Sequence, residues 1–129
     1  MNDLPQISSS RDAYELISEN WEDVSYVESF KIILLNRANK VLGVTIISKG
    51  GMSGTTADPK VIFQAALKAN ASGIILSHNH PSGNLKPSQQ DIDLTKKIKN
   101  AGKALDISVL DHLIITDSSF YSFNDEGAM

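Results

Sequence analysis

The apolar run over residues 73–77 and the polar residues that follow it constrain the fold of this chain most. The run is short, rich in isoleucine and begins with glycine, which predicts a buried strand. It leads into His78-Asn79-His80-Pro81, where the proline ends the strand because it has no backbone donor. Successive residues of an extended chain point to opposite sides, so His78 and His80 share one side and Asn79 points away. The sequence therefore places two imidazoles at the end of a central strand.

A predicted helix start brings a carboxylate back toward these histidines. The glycine and asparagine that follow Pro81 allow the backbone to turn, and Ser88-Gln-Gln-Asp91 has the spacing of a capping box, although glutamate or glutamine normally occupies its last position. Two imidazoles and one carboxylate suit zinc and leave a fourth tetrahedral place for water. The pattern predicts a catalytic metal site made by His78, His80 and Asp91, with Ser88 facing the same cavity. The plainer alternative is that Ser88 and Asp91 only cap the helix.

The remaining periodicities alternate between helix and strand. Predicted helices cover residues 11–21, 58–70 and 88–101, the last stopped by Gly102, and predicted strands cover residues 26–35, 41–47, 73–77, 104–110, 113–116 and 120–123. This order predicts an α/β fold with a mixed β-sheet flanked by helices. We expect one main domain over residues 26–129, preceded by a helical extension over residues 1–25.

Composition limits the class of protein. The 129 residues fit one domain, with a core large enough to be stable without disulfides or a structural metal. The chain has no cysteine, which excludes disulfides, thiolate metal ligands and the cysteine-containing zinc site of nucleobase deaminases. The formal net charge of -3 gives no overall basic footprint for nucleic acid, and we interpret the lysines at 96, 97, 99 and 103 as a solvated helix face. No apolar run approaches about 18 residues, so we expect a cytoplasmic protein without a membrane partner.

These residues resemble a metalloprotease motif. Glu28, His78, His80, Pro81, Ser88 and Asp91 are similar to the JAMM (MPN+) pattern, in which a distant glutamate precedes His-x-His, seven residues and Ser-x-x-Asp. Longer segments resemble the RadC family of bacterial JAB-domain proteins: residues 77–84, 86–92 and 110–115, with Ser53-Gly-Thr and Asp58-Pro59 upstream. The resemblance covers about residues 26–123.

The resemblance implies a JAB/MPN fold, related to the cytidine-deaminase-like architecture, and a catalytic zinc that hydrolyses amide or isopeptide bonds of a peptide or protein substrate. By this resemblance, His78, His80 and Asp91 are expected to be the metal ligands, and Glu28 is expected to be the general base. It gives Ser88 the role of donor to the developing oxyanion. Glu22 stays open as an alternative base.

Two other functions stay open. RadC-like proteins commonly carry a helix-hairpin-helix-type segment before the JAB domain, and only about 25 residues precede the resemblance here. We therefore expect the family's association with DNA repair or DNA processing to transfer weakly. A metal-binding interaction module without turnover is the other alternative. The sequence carries no signal for an oligomeric state.

Two further features each have two interpretations, and Asn79 has a supporting role. Asp111-His112 is either a turn between strands or a functional pair, and residues 53–56 either line a substrate groove or form an ordinary loop. We expect Asn79 to orient the metal loop rather than to bind metal.

Overall fold

The computed structural model of the protein describes residues 4–50 and 57–129, so the prediction for residues 53–56 lies outside the described residues. The elements follow one another as α1 (Ser10–Glu19), β1 (Ser29–Leu35), β2 (Val41–Lys49), α2 (Pro59–Lys68), β3 (Gly73–Asn79), α3 (Gln89–Ala104), β4 (Ser108–Ile115) and β5 (Phe120–Ser122). They form an α/β fold with a mixed sheet flanked by helices, which confirms the predicted fold class.

The five strands lie in the order β2-β1-β3-β4-β5, so β3 is central as predicted. β1 is antiparallel to both β2 and β3, β3 is parallel to β4, and β4 is antiparallel to β5. Parallel neighbours need a crossover connection, and α3 supplies it between β3 and β4. The first turn of α3 therefore follows the end of β3 after a short loop.

The sheet separates two apolar layers. Alternate residues of a strand face opposite sides, so Phe30 and Ile32 of β1 face α2 and α3, whereas Ile33 and Leu35 face α1. His78 lies opposite Phe30 in the β1–β3 pair and therefore faces the α2–α3 side. The layer on the α1 side includes Ala13, Ile17, Trp21, Ile75 and Leu113. Residues before position 26 thus share a core with the sheet. The division into an extension over residues 1–25 and a domain over residues 26–129 stays a prediction.

Helix ends differ from the prediction by a few residues. Asp58 caps α2 by accepting a hydrogen bond from the Lys60 N–H at 2.9 Å, and Pro59 is the first helical residue, as expected. Predicted helix 11–21 starts at Ser10 but ends at Glu19, and Trp21 packs beyond its end. Within the described part of the chain, no helix is both long and apolar enough to cross a membrane.

Gly102 does not stop α3, and that prediction was wrong. The helix continues to Ala104, and Asp106, with a φ of 57°, lies in the turn that follows. Gly102 is instead required by close packing. A Cβ atom there would overlap the Ile107 carbonyl oxygen and lie 3.1 Å from Val109 Cγ2.

Gly102→Ala is expected to lower the free energy of unfolding by about 1–3 kcal/mol, because the added methyl group forces α3 away from the start of β4. Gly43→Ala in β2 is the matched control, since a Cβ there meets no atom within 4 Å. We expect its effect to stay within about 0.5 kcal/mol. Urea unfolding of both variants measures the difference, and equal midpoints would contradict the packing argument.

The predicted division of residues 104–116 into two strands was also wrong, and so was the turn at Asp111-His112. β4 is continuous, but its register against β3 shifts, with Ile74 opposite Val109 and Ile75 opposite Asp111. Such a β-bulge adds one residue to one strand and changes which face the following side chains occupy. Leu110 is the extra residue and is 36% exposed, whereas Asp111 and His112 are buried. The bulge directs His112 to the same side of the sheet as His78.

Candidate metal centre

The two histidines converge where β3 ends. His78 is buried within β3, and His80 follows the strand, with its backbone N–H donating to the Ile115 carbonyl at 2.9 Å. Their Nε2 atoms lie 3.0 Å apart. The imidazoles thus share one side of the chain, as the alternation of an extended backbone requires.

The Asp91 carboxylate completes a triangle with these nitrogens. Oδ1 lies 3.3 Å from His78 Nε2, and Oδ2 lies 3.4 Å from His80 Nε2. Tetrahedral ligands at about 2.0–2.1 Å from zinc lie about 3.3 Å from one another. The spacing of the three groups therefore fits a tetrahedral metal ion.

The charge pattern also favours a cation between these groups. His80 Nδ1 lies 2.6 Å from the Asn84 carbonyl, which can only accept, so Nδ1 donates and the Nε2 of neutral His80 carries a lone pair. The hydrogen bond to Asp91 raises the pKa of His80 against the effect of burial. Burial acts to raise the pKa of Asp91, but the two imidazoles outweigh it and hold that pKa well below its ordinary value. A proton or a metal ion can satisfy this cluster, and the two compete.

The helix cap and the position of Asp91 beside the two histidines coexist. Ser88 Oγ accepts a hydrogen bond from the Asp91 N–H at 3.0 Å, and Asp91 Oδ2 accepts one from the Ser88 N–H at 2.8 Å. The capping box is therefore complete with aspartate in its last position. Ser88 is exposed, and its hydroxyl still has a hydrogen to donate after accepting the capping bond.

Glu28 belongs to the same group. Glu28, His78 and His80 each offer a ligand atom, and these atoms lie within 4.8 Å of one another. Phe30 pairs with His78 in the antiparallel register, and continuing that register places Glu28 opposite His80.

Glu22, the alternative base, lies elsewhere. It is exposed, and its charge influences Lys31. The Lys31 ammonium group lies over the Trp21 ring, on the α1 side of the sheet. Burial lowers the pKa of Lys31, and the charge of Glu22 opposes that shift. Glu28 is therefore the better placed of the two glutamates.

Asn79 points away from the imidazoles, as predicted, and holds the segment that carries Glu28. Its Oδ1 accepts a hydrogen bond from the Ser29 N–H at 2.7 Å. Its Nδ2 donates to the Val24 and Val27 carbonyls at 2.8 and 3.0 Å. The fully buried amide thus joins the end of β3 to the chain on both sides of Glu28.

Two further residues lie behind His78: Thr95, for which the sequence predicted no role, and His112, whose role stayed open. His112 Nε2 lies 2.8 Å from His78 Nδ1, and His112 Nδ1 lies 2.6 Å from Thr95 Oγ1. The His112 ring is fully buried and stacks on Phe123 at 4.7 Å. Burial holds the pKa of His112 well below its ordinary value, which favours the neutral ring. The signal for His112 was the polar pair Asp111-His112 between apolar residues of β4.

Asp111 faces the other side of the sheet. Its carboxylate accepts hydrogen bonds from the Ser122 hydroxyl at 2.7 Å and from the Asn124 N–H at 3.0 Å, and burial raises its pKa. It fastens the end of β5 and the residues that follow it to β4.

The lysine stretch lies along α3, which begins beside the site. Lys96, Lys97 and Lys103 are exposed and Lys99 is partly exposed, as expected for a solvated helix face. At 1.5 Å per residue, the four lysines lie about 8 to 18 Å along the helix axis from Asp91.

The fold and these side chains define a JAB-type α/β domain with a group of residues able to bind a metal ion. A family model described as the RadC-like JAB domain matches residues 7–128, and the chain belongs to this family. The recognition of the family from its motifs is thereby confirmed.

Several curated bacterial proteins are similar to the chain. A UPF0758 protein from Flavobacterium johnsoniae is 48% identical over 124 residues, which cover 96% of this chain and 54% of that protein. A UPF0758 protein from Porphyromonas gingivalis is 43% identical over 124 residues, covering 95% and 54%. A third, from Caldanaerobacter subterraneus, is 40% identical over 121 residues, covering 94% and 52%. The chain spans about half the length of these relatives.

Proposed function

We propose that this domain is a zinc-dependent hydrolase that cleaves amide or isopeptide bonds of a peptide or protein substrate. The convergence of the His78 and His80 Nε2 atoms on the Asp91 carboxylate, with Glu28 in the same group, carries the proposal. Membership of a JAB-domain family is compatible with hydrolysis.

His78, His80 and Asp91 would hold the metal, because their spacing suits tetrahedral coordination and their nitrogen and oxygen donors suit zinc. The same donors accept iron or manganese. Bound zinc supplies Lewis-acid polarisation of a carbonyl group and lowers the pKa of a water molecule to about 7.

The other side chains would move and direct protons. Glu28 takes a proton from the attacking water and later delivers it to the leaving amine. The exposed Ser88 hydroxyl donates to the carbonyl oxygen as negative charge develops on it. Asn79 keeps the Glu28 segment beside the histidines through its three hydrogen bonds.

The structure offers two carboxylates, so their roles must be distinguished. Asp91 is held by the capping box with one oxygen toward each histidine, which suits a fixed ligand. Glu28 lies just before β1 and suits a base that moves between water and the leaving group. This assignment keeps Asp91 as the ligand and Glu28 as the base.

DNA processing is the second candidate function. The row of lysines along α3 favours it, whereas the net charge of -3 and the distance of the lysines from Asp91 weaken it. A metal-binding interaction module without turnover is the third.

One preparation of zinc-loaded protein tests all three. We expect cleavage of a peptide or lysine isopeptide substrate that stops on chelation and returns with zinc, and DNA binding that disappears by ~200 mM salt. Chelator-sensitive DNA cleavage, or DNA binding that persists at ~200 mM salt, would put DNA processing first. Zinc binding without cleavage of any peptide, isopeptide or DNA would favour the interaction module.

A further inference from the structure

A chain of buried hydrogen bonds runs behind His78, away from the face that meets Asp91 and His80. It starts at the Asp91 backbone carbonyl, which accepts from the Thr95 hydroxyl at 2.7 Å. It continues from Thr95 Oγ1 to His112 Nδ1 at 2.6 Å and from His112 Nε2 to His78 Nδ1 at 2.8 Å. Thr95, His112 and His78 are 1%, 0% and 3% exposed, so water does not compete for these bonds.

The direction of every bond in this chain follows from its first member. A carbonyl oxygen only accepts, so the single hydroxyl hydrogen of Thr95 points to Asp91. Thr95 Oγ1 must then accept from His112, which places a hydrogen on His112 Nδ1. A neutral imidazole carries one hydrogen, so His112 Nε2 accepts and His78 Nδ1 donates.

A neutral His112 agrees with its surroundings. Its ring packs against Phe123 and lies edge-on to Phe30 at 5.6 Å, and its two ring nitrogens bond Thr95 and His78 rather than a carboxylate. A charged imidazolium without an acidic partner is costly in such an apolar setting.

From this geometry we infer that His112 is a positioning residue: it holds His78 in the tautomer with hydrogen on Nδ1, which leaves the Nε2 lone pair facing Asp91 and His80. This inference rests on the proposed function, because the tautomer of His78 matters only if His78 binds a metal ion. Partners behind a histidine ligand commonly set its tautomer, and their loss typically lowers metal affinity by about 10–100-fold.

Thr95 acts on His78 indirectly, because it fixes the tautomer of His112. Thr95→Val deprives His112 Nδ1–H of its acceptor and favours the other His112 tautomer, with hydrogen on Nε2. That hydrogen would point at His78 Nδ1 and favour hydrogen on His78 Nε2, where a ligand needs its lone pair. Thr116→Val is the matched control, because Thr116 is also buried and also bonds a backbone carbonyl, that of Ser119.

The test combines zinc affinity with long-range nitrogen–proton NMR of the histidine rings. We expect His78 to carry its hydrogen on Nδ1 in the parent protein and in Thr116→Val, and to lose that preference in Thr95→Val, with zinc affinity lower by about 10-fold. His112→Phe keeps the aromatic packing without an acceptor and should lower zinc affinity by about 10–100-fold. His112→Gln, which can both accept and donate, should recover most of the loss.

A parent protein with hydrogen on His78 Nε2, or parental zinc affinity in His112→Phe, would overturn the inference. The NMR measurement on the metal-free chain keeps it separate from the proposed function. If the parent binds no zinc but His78 has its hydrogen on Nδ1, the hydrolase proposal fails and the positioning of His78 stands.

Discussion

His80→Ala is expected to lower zinc affinity by about 100-fold or more and to abolish chelator-sensitive hydrolysis. The change leaves one imidazole and one carboxylate, which are too few for a tight tetrahedral zinc site. His80 is partly exposed and follows β3 rather than lying within it, so the fold should survive. Competition with a coloured zinc chelator measures the affinity, and circular dichroism checks the fold.

Gln90→Ala is a suitable control for this variant, because Gln90 is an exposed neighbour of Asp91 in the first turn of α3. It should bind zinc like the parent. Parental zinc affinity in His80→Ala would show that the ion lies elsewhere.

Glu28→Gln is expected to keep the fold and the zinc while lowering the rate of hydrolysis by about 10²–10⁴-fold. Glutamine has nearly the same shape as glutamate but cannot take a proton from water. Zinc content and turnover measured on the same sample separate the loss of a base from the loss of a ligand.

Glu22→Gln is the matched control and should retain parental turnover, since Glu22 acts on Lys31 on the other side of the sheet. Full turnover in Glu28→Gln together with its loss in Glu22→Gln would reverse the assignment. Loss of zinc in Glu28→Gln would make Glu28 a ligand instead of a base.

The local part of the site could be predicted because its chemistry is contained in residues 78–91. The alternation of an extended chain brings His78 and His80 together, and the capping pattern places Asp91 at a helix start. Proline and glycine signals set the loop between them. None of these inferences needs a partner from a distant part of the chain.

The contacts behind the site depend on pairing between strands and could not be predicted in this way. His112 reaches His78 only because β3 and β4 are parallel and a bulge at Leu110 turns His112 to the side of the sheet that His78 faces. A polar pair inside an apolar segment has the composition of a turn, which explains why a turn stayed one of the two interpretations of Asp111-His112. The prediction that Gly102 ends α3 failed for a similar reason. The close packing of Gly102 against Ile107 is a tertiary contact, which a local pattern does not show.

Diffraction from crystals of the zinc-loaded protein, collected at the zinc absorption edge, tests the central claim most directly. We predict one strong anomalous peak between His78 Nε2, His80 Nε2 and the Asp91 carboxylate, with all three at about 2.0–2.2 Å from the ion. A peak bound by other residues, or no peak in protein saturated with zinc, would contradict the metal site on which the proposed hydrolase depends.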